Sequence, residues 1–183
     1  MANLTFLDIR KSREYKKKVR KLYNEAFQKE ERIPIWLLEL LARKNKAKFY
    51  SIYDDKKFVG LIYNIYYQDI VFVFFFAIDK ELRGQGYGSK VLEFIKQKYS
   101  KHRIILCIEP LDKNSDNYVQ RTKRKEFYIK NGFKDANYTI KERNIIYEML
   151  YYNKDNKKVS LQEFQKMMKN YLGKILYQHF YRK

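Results

Sequence analysis

Residues 70–95 read IVFVFFFAIDKELRGQGYGSKVLEFI. The run from Ile70 to Ile78 is apolar without a break, which predicts a strand covered on both faces in the middle of a sheet. A polar turn follows from Asp79 to Arg83, then three glycines alternate at Gly84, Gly86 and Gly88. Val91, Leu92, Ile95 and Tyr99 recur at helical spacing and predict a helix from about Tyr87 to Tyr99. Beyond it RIILCIE, Arg103 to Glu109, is a second buried strand. A strand, a helix and a strand in sequence imply a right-handed parallel crossover.

Outward from this core, KFYSIY and FVGLIYNIYY precede the apolar run, separated by turns at Asp54 to Lys57 and at Gln68 and Asp69. Such short turns imply an antiparallel meander. Thr5 to Ile9 alternates as a first short strand. Tyr15, Val19, Leu22, Tyr23, Ala26 and Phe27 then mark an amphipathic helix, and Pro34 opens a second helix carrying Trp36, Leu37, Leu40 and Leu41. Downstream, the polar loop from Pro110 to Asn117 leads to a basic helix that ends at Asn131 and Gly132, a pair suited to a left-handed helix stop. Phe133 to Ile140 and Ile145 to Tyr152 read as a closing hairpin. Ser160 and Glu163 make a capping box ahead of Leu161, Phe164, Met167, Met168, Tyr171, Leu172, Ile175 and Leu176 at helical spacing. The expected fold is α/β (α+β), with a mixed, mostly antiparallel sheet of about seven strands over residues 1–152. Residues 153–183 are expected to form a C-terminal amphipathic helical extension packed on the same domain, or else a dimer contact.

The chain has 183 residues with 40 Lys plus Arg against 21 Asp plus Glu, a formal net charge of +19. Such a charge attracts any polyanion, but the cations are spread along the chain in short runs such as Lys16 to Lys18, a pattern that an AT-rich genome also produces. The spread argues against a nucleic-acid or membrane partner. The single cysteine, Cys107, rules out an internal disulfide framework and points to a reducing, cytoplasmic setting. The start of the chain has no apolar signal core, and the longest apolar run is too short to span a bilayer. No His or Cys pair has metal-ligand spacing, so no metal is expected.

The three glycines carry the chemistry. Each costs a helix start about 1 kcal/mol relative to Ala, so something else favours them. Glycine lets a ligand approach the backbone, and the free amides of a helix start bind phosphate oxygens. The spacing is neither that of a P-loop, since Ser89 intervenes before Lys90, nor the dinucleotide G-x-G-x-x-G. It is R-x-x-G-x-G at Arg83, Gly86 and Gly88. With Glu126 to Phe133, EFYIKNGF, this resembles the GNAT superfamily of acyl-CoA-dependent N-acetyltransferases, and the order of elements agrees from Asn3 to about Tyr152.

The resemblance implies a GNAT-like sheet whose fourth and fifth strands are parallel and splayed. It also implies an N-acetyltransferase that uses acetyl-CoA on a primary amine of a small molecule or peptide, as a monomer or homodimer. Arg83, Gly84, Gln85, Gly86, Tyr87, Gly88 and Ser89 would hold the diphosphate. Phe76, Ala77 and Ile78 would pair with the pantetheine arm, and Tyr128 would be the acid for the departing sulfur. Glu109 is the candidate base, directly or through water, ahead of Asp79, which falls at a turn. Arg121 and Arg124 replace the small and polar residues usual in that family, and Arg121 is taken as a phosphate contact. A non-catalytic CoA-binding sensor or scaffold, with a basic surface that could meet nucleic acid, is the alternative class.

Overall fold

The computed structural model describes residues 4–43 and 46–181. The elements are β1 (Leu4–Asp8), α1 (Arg13–Ala26), α2 (Ile35–Ala42), β2 (Ala47–Asp54), β3 (Lys57–Tyr67), β4 (Ile70–Ile78), α3 (Tyr87–Lys98), β5 (Arg103–Ile108), α4 (Tyr118–Lys130), β6 (Lys134–Glu142), β7 (Ile145–Tyr152) and α5 (Leu161–Tyr181). Among the described residues seven strands lie in the order β1-β2-β3-β4-β5-β7-β6, with the β4/β5 pair parallel. The apolar run of β4 is thus the middle strand, as its lack of alternation predicts. No described helix is long and apolar enough to cross a membrane.

The chain forms two compact units. One comprises the residues up to Ile65 together with Val73–Ile95, and the other Tyr66–Phe72 together with the residues from Lys96 onward. In the first unit, β1, β2 and β3 pair antiparallel. Ser12 caps α1 by accepting from the Glu14 amide at 3.2 Å, and Val19, Leu22 and Tyr23 turn that helix into the core. Gly60 stands where β3 meets β4 closely: a Cβ there would lie 2.4 Å from the Ala77 carbonyl oxygen.

The inner face of α2 is not marked in the sequence. Ile35, Leu38, Leu41 and Ala42 are buried, whereas Trp36 is 65% and Leu40 46% exposed. The sequence IWLLELLA is apolar nearly all round, so periodicity does not choose its inner side. Packing does: the Tyr63 hydroxyl donates to the Leu38 carbonyl at 3.0 Å.

In the second unit, β5, β7 and β6 pair antiparallel, and the start of β4 runs beside β5, where the Arg103 amide donates to the Asp69 carbonyl at 2.7 Å. Residues 153–181 belong to this same unit. Arg103 is buried, and its guanidinium meets both oxygens of Asp69 at 2.7 Å, the Lys158 carbonyl at 3.0 Å and Glu163 at 2.8 Å. Glu163 also closes the capping box: its Oε2 accepts from the Ser160 amide at 2.9 Å, while its own amide donates to Ser160 Oγ at 3.2 Å.

The apolar stripe of α5 does not run on to Ile175 and Leu176. Gly173 has φ 75° and ψ 166°, a region essentially reserved for glycine, and it breaks the helix. Phe164, Met167, Met168, Tyr171 and Leu172 are buried before the break, and Phe180 after it. Ile175 is 82% exposed.

Candidate active site

In the first unit, β4 ends in Phe76, Ala77 and Ile78, and the Asp79 amide donates to the Val59 carbonyl at 2.9 Å. The Asp79 carboxylate accepts from the Glu81 amide at 3.1 Å and so caps the single 3-10 turn Lys80–Leu82. Leu82 pegs this turn into the core. Asp79 therefore serves the turn.

Gly84 and Gly86 follow at φ 77° and 81°, and a Cβ built on either meets nothing within 4 Å. The backbone here is left-handed and open on its outer side, which is the condition for a ligand to approach it. The Lys90 amide donates to the Gly86 carbonyl at 3.1 Å as the first turn of α3 closes. The amides of Tyr87, Gly88 and Ser89 consequently lie in the first turn, where a helix offers no acceptor, and they sit at the positive end of its dipole.

Side chains around the turn stand clear of those amides. Arg83 is exposed, with Nε donating to the Ile78 carbonyl at 3.2 Å. Gln85 Nε2 donates to the Glu81 carbonyl at 2.9 Å, and the Tyr87 hydroxyl donates to Asp54 at 2.8 Å. Of Gln85 and Tyr87, the backbone is what remains for a ligand. A concavity of about 350 Å³ beside the turn is lined by Asp79 and Glu81 as well as Lys57 and Gln85, and its two carboxylates disfavour an anion there.

In the second unit, Tyr128 projects from α4 against the rings of Phe127 and Phe133, at 5.1 and 5.8 Å between centroids. The Phe133 amide donates to the Tyr128 carbonyl, and Gly132, at φ 85°, ends the helix as Asn131-Gly132 predicts. Burial pushes the Tyr128 phenol up to about 12, opposed by the Arg124 charge. Its hydroxyl has no hydrogen-bond partner among the described residues.

Glu109 and Arg121 are brought together in one ion pair. Glu109 is buried, and its Oε1 lies 2.8 Å from Arg121 Nη2 while its Oε2 lies 3.1 Å from Arg124 Nη1. Arg121 also donates to Asn117 Oδ1 at 2.7 Å and to the Pro110 carbonyl at 2.9 Å. Arg121, expected on a phosphate, thus meets Glu109, and Glu109, the candidate base, meets two guanidiniums. Together they fasten the first half of α4 to the end of β5.

Sequence reasoning does not single out Asn117, Lys125 or Glu148. Lys125 Nζ lies 2.8 Å from Glu148 Oε2, and Glu148 is buried on β7 with Oε1 unpartnered. The one available signal is a charged residue inside the apolar strand IIYEMLYY, which needs a cation from another element.

Comparison with known proteins adds the following. A family model described as the acetyltransferase (GNAT) domain matches residues 45–135, a span that includes the glycine turn and Tyr128. A GNAT-family protein from Bacteroides thetaiotaomicron superposes with a TM-score of 0.72 at 21% identity, covering 96% of this chain and 98% of its own. An aminoglycoside 6′-N-acetyltransferase complexed with coenzyme A gives 0.62 at 17% identity, covering 81% and 95%. A Bacillus subtilis acetyltransferase in complex with CoA gives 0.52 at 12% identity, covering 82% and 97%. At these identities the likeness is one of fold. A sequence search of curated proteins gives no match.

Proposed function

We propose that this chain, whose residues 45–135 form a GNAT acetyltransferase domain, transfers an acetyl group from acetyl-CoA to a primary amine by direct attack in a ternary complex. The observation that carries this reading is the open left-handed backbone at Gly84 and Gly86 running into three unsatisfied amides at residues 87–89. Diphosphate oxygens are the groups that such a cradle suits. Bound acetyl-CoA supplies an activated thioester carbonyl.

In this reading the amides of 87–89 and the Arg83 side chain hold the diphosphate. The backbone of Phe76, Ala77 and Ile78 takes the pantetheine arm as an added strand, and one of its amides polarises the carbonyl oxygen. Tyr128 donates a hydrogen bond to the departing sulfur. The proton released by the amine, carried through solvent, balances the one that the sulfur takes up. Glu109 we assign to positioning α4, and with it Tyr128. The acceptor is a small-molecule or peptide amine.

Two measurements test the reading. At 100 times its dissociation constant a ligand adds about 2.7 kcal/mol. At about 2–4 °C per kcal/mol for this chain length, acetyl-CoA should raise Tm by about 5–10 °C. Thiol release with a panel of amines then reports turnover, which Tyr128→Phe should slow while leaving the thermal shift in place. A chain that shows no shift at saturating acetyl-CoA is not an acetyltransferase.

A further inference from the structure

The outer face of α1 carries four cations that no described residue pairs. Arg13, Lys17, Arg20 and Lys21 fall at the i, i+4, i+7 and i+8 positions, all exposed, while Val19, Leu22 and Tyr23 turn inward. Helical geometry places those four within one continuous face. The neighbouring cations are committed: Lys16 lies 2.6 Å from Glu39, and Lys18 lies 2.8 Å from Glu14. None of the four on the outer face has a hydrogen-bond or ion-pair partner among the described residues.

At its start this face opens into a cavity of about 540 Å³, where Lys11 and Arg43 join Arg13. The carboxylates there, Asp8 and Glu39, are neutralised by Arg10 and Lys16. From Arg43 the outer row of α2 continues back through Leu40 to Trp36, three and seven residues earlier, with the indole largely exposed. A row of unpaired cations on one helix and an exposed indole on the next supply the two kinds of contact that hold a phosphate backbone and stack a base. An interfacial membrane helix instead needs an apolar face to bury in lipid, and the apolar face of α1 is already in the core.

We infer that the α1/α2 surface is a docking site for single-stranded nucleic acid, with Arg13, Lys17, Arg20 and Lys21 on phosphates and Trp36 under a base. This reverses the expectation drawn from the overall spread of charge, because what counts is the local run of unpaired cations. It rests on residues other than those assigned above to holding acetyl-CoA.

The test uses the full chain and a fluorescein-labelled 20-nucleotide oligouridine, with anisotropy read between 50 and 200 mM KCl. The variant Lys17→Gln/Arg20→Gln/Lys21→Gln is compared with Lys101→Gln/Lys113→Gln/Lys154→Gln, which removes the same charge from exposed positions of the second unit. Each phosphate contact on a single strand contributes about 0.7 to the salt slope, so the α1 variant should lower that slope by about 2 and weaken binding at 0.1 M salt by about 100-fold. The charge-matched variant should stay within a few-fold of wild type, and Trp36→Ala should weaken binding at every salt concentration. Equal losses in the two triple variants, or no binding by wild type, overturn the proposal. So does capture by phosphatidylserine vesicles that depends on the α1 cations while oligouridine fails to bind. The acetyl-CoA thermal shift, measured on every variant, reports folding and judges the acetyltransferase reading separately.

Discussion

Replacing Glu109 by Gln separates two roles that a buried carboxylate beside an active site can have. The side chain meets Arg121, whose own side chain is 18% exposed, at 2.8 Å, and Arg124, 40% exposed, at 3.1 Å. The Arg124 pair is solvent-screened and contributes about 0–1 kcal/mol. The Arg121 pair is shielded, and a hydrogen bond between charged groups there is worth about 1.5–3 kcal/mol. Gln keeps the shape and one acceptor but loses the charge, so we expect a loss of about 2–3 kcal/mol. At about 2–4 °C per kcal/mol this lowers Tm by about 4–12 °C. Differential scanning calorimetry reads that change, and thiol release across pH 6–9 reads the chemistry. The positioning role predicts a lower Tm, a modest fall in kcat and an unchanged shape of the pH profile. A general base predicts the reverse: Tm near wild type, kcat down by about 10²–10⁴-fold and the loss of one limb of the profile. That second result would refute the assignment of Glu109 to holding α4.

Three further outcomes are expected. Gly86→Val puts a β-branched residue at φ 81° beside the cradle; isothermal titration should show weakened acetyl-CoA binding, and unchanged affinity would dissociate the turn from the diphosphate. Gly60→Ala drives a methyl to 2.4 Å from the Ala77 carbonyl, and overpacking of this kind costs about 1–3 kcal/mol, read as a lower midpoint in urea. The Arg103 guanidinium beside Glu163 holds that carboxyl down to about 2, and it also lowers Asp69. A depressed carboxylate stabilises the fold fully above its unfolded value and less as pH falls through the folded one. Circular-dichroism melts should therefore lose stability between about pH 4.5 and 2, and Arg103→Met should flatten that dependence; a wild-type Tm constant across the window would count against it.

The elements that the sequence announces clearly are those with one dominant signal. The unbroken apolar run of β4, the turn-bounded strands β2 and β3, the Asn131-Gly132 stop and the Ser160/Glu163 box all stand where periodicity and capping chemistry put them. Ambiguity enters where the local signal is degenerate. An octapeptide as apolar as IWLLELLA has no preferred inner side, so Trp36 and Leu40 fall outward. In α5 a single glycine outweighs a helical stripe, because its backbone adopts a conformation the stripe does not encode. At the candidate site the glycine turn is legible, since backbone demands show in residue type. The clamp of Glu109 with Arg121 and Arg124 is not, because its partners are separated by a polar loop and three charges offer many pairings. Glu148 with Lys125 is hidden for the same reason.

Glu163 has two obligations at once, opening the terminal helix and closing the ring of groups around Arg103. The beginning of α5 and the entry to β4 are consequently not independent in an unfolding experiment. Fraying at residue 160 strips an acceptor from a buried cation, and loosening at Asp69 withdraws the anchor that keeps the helix start in place. Native-state hydrogen exchange should register them as one cooperative opening, although more than 90 residues of chain separate the two ends.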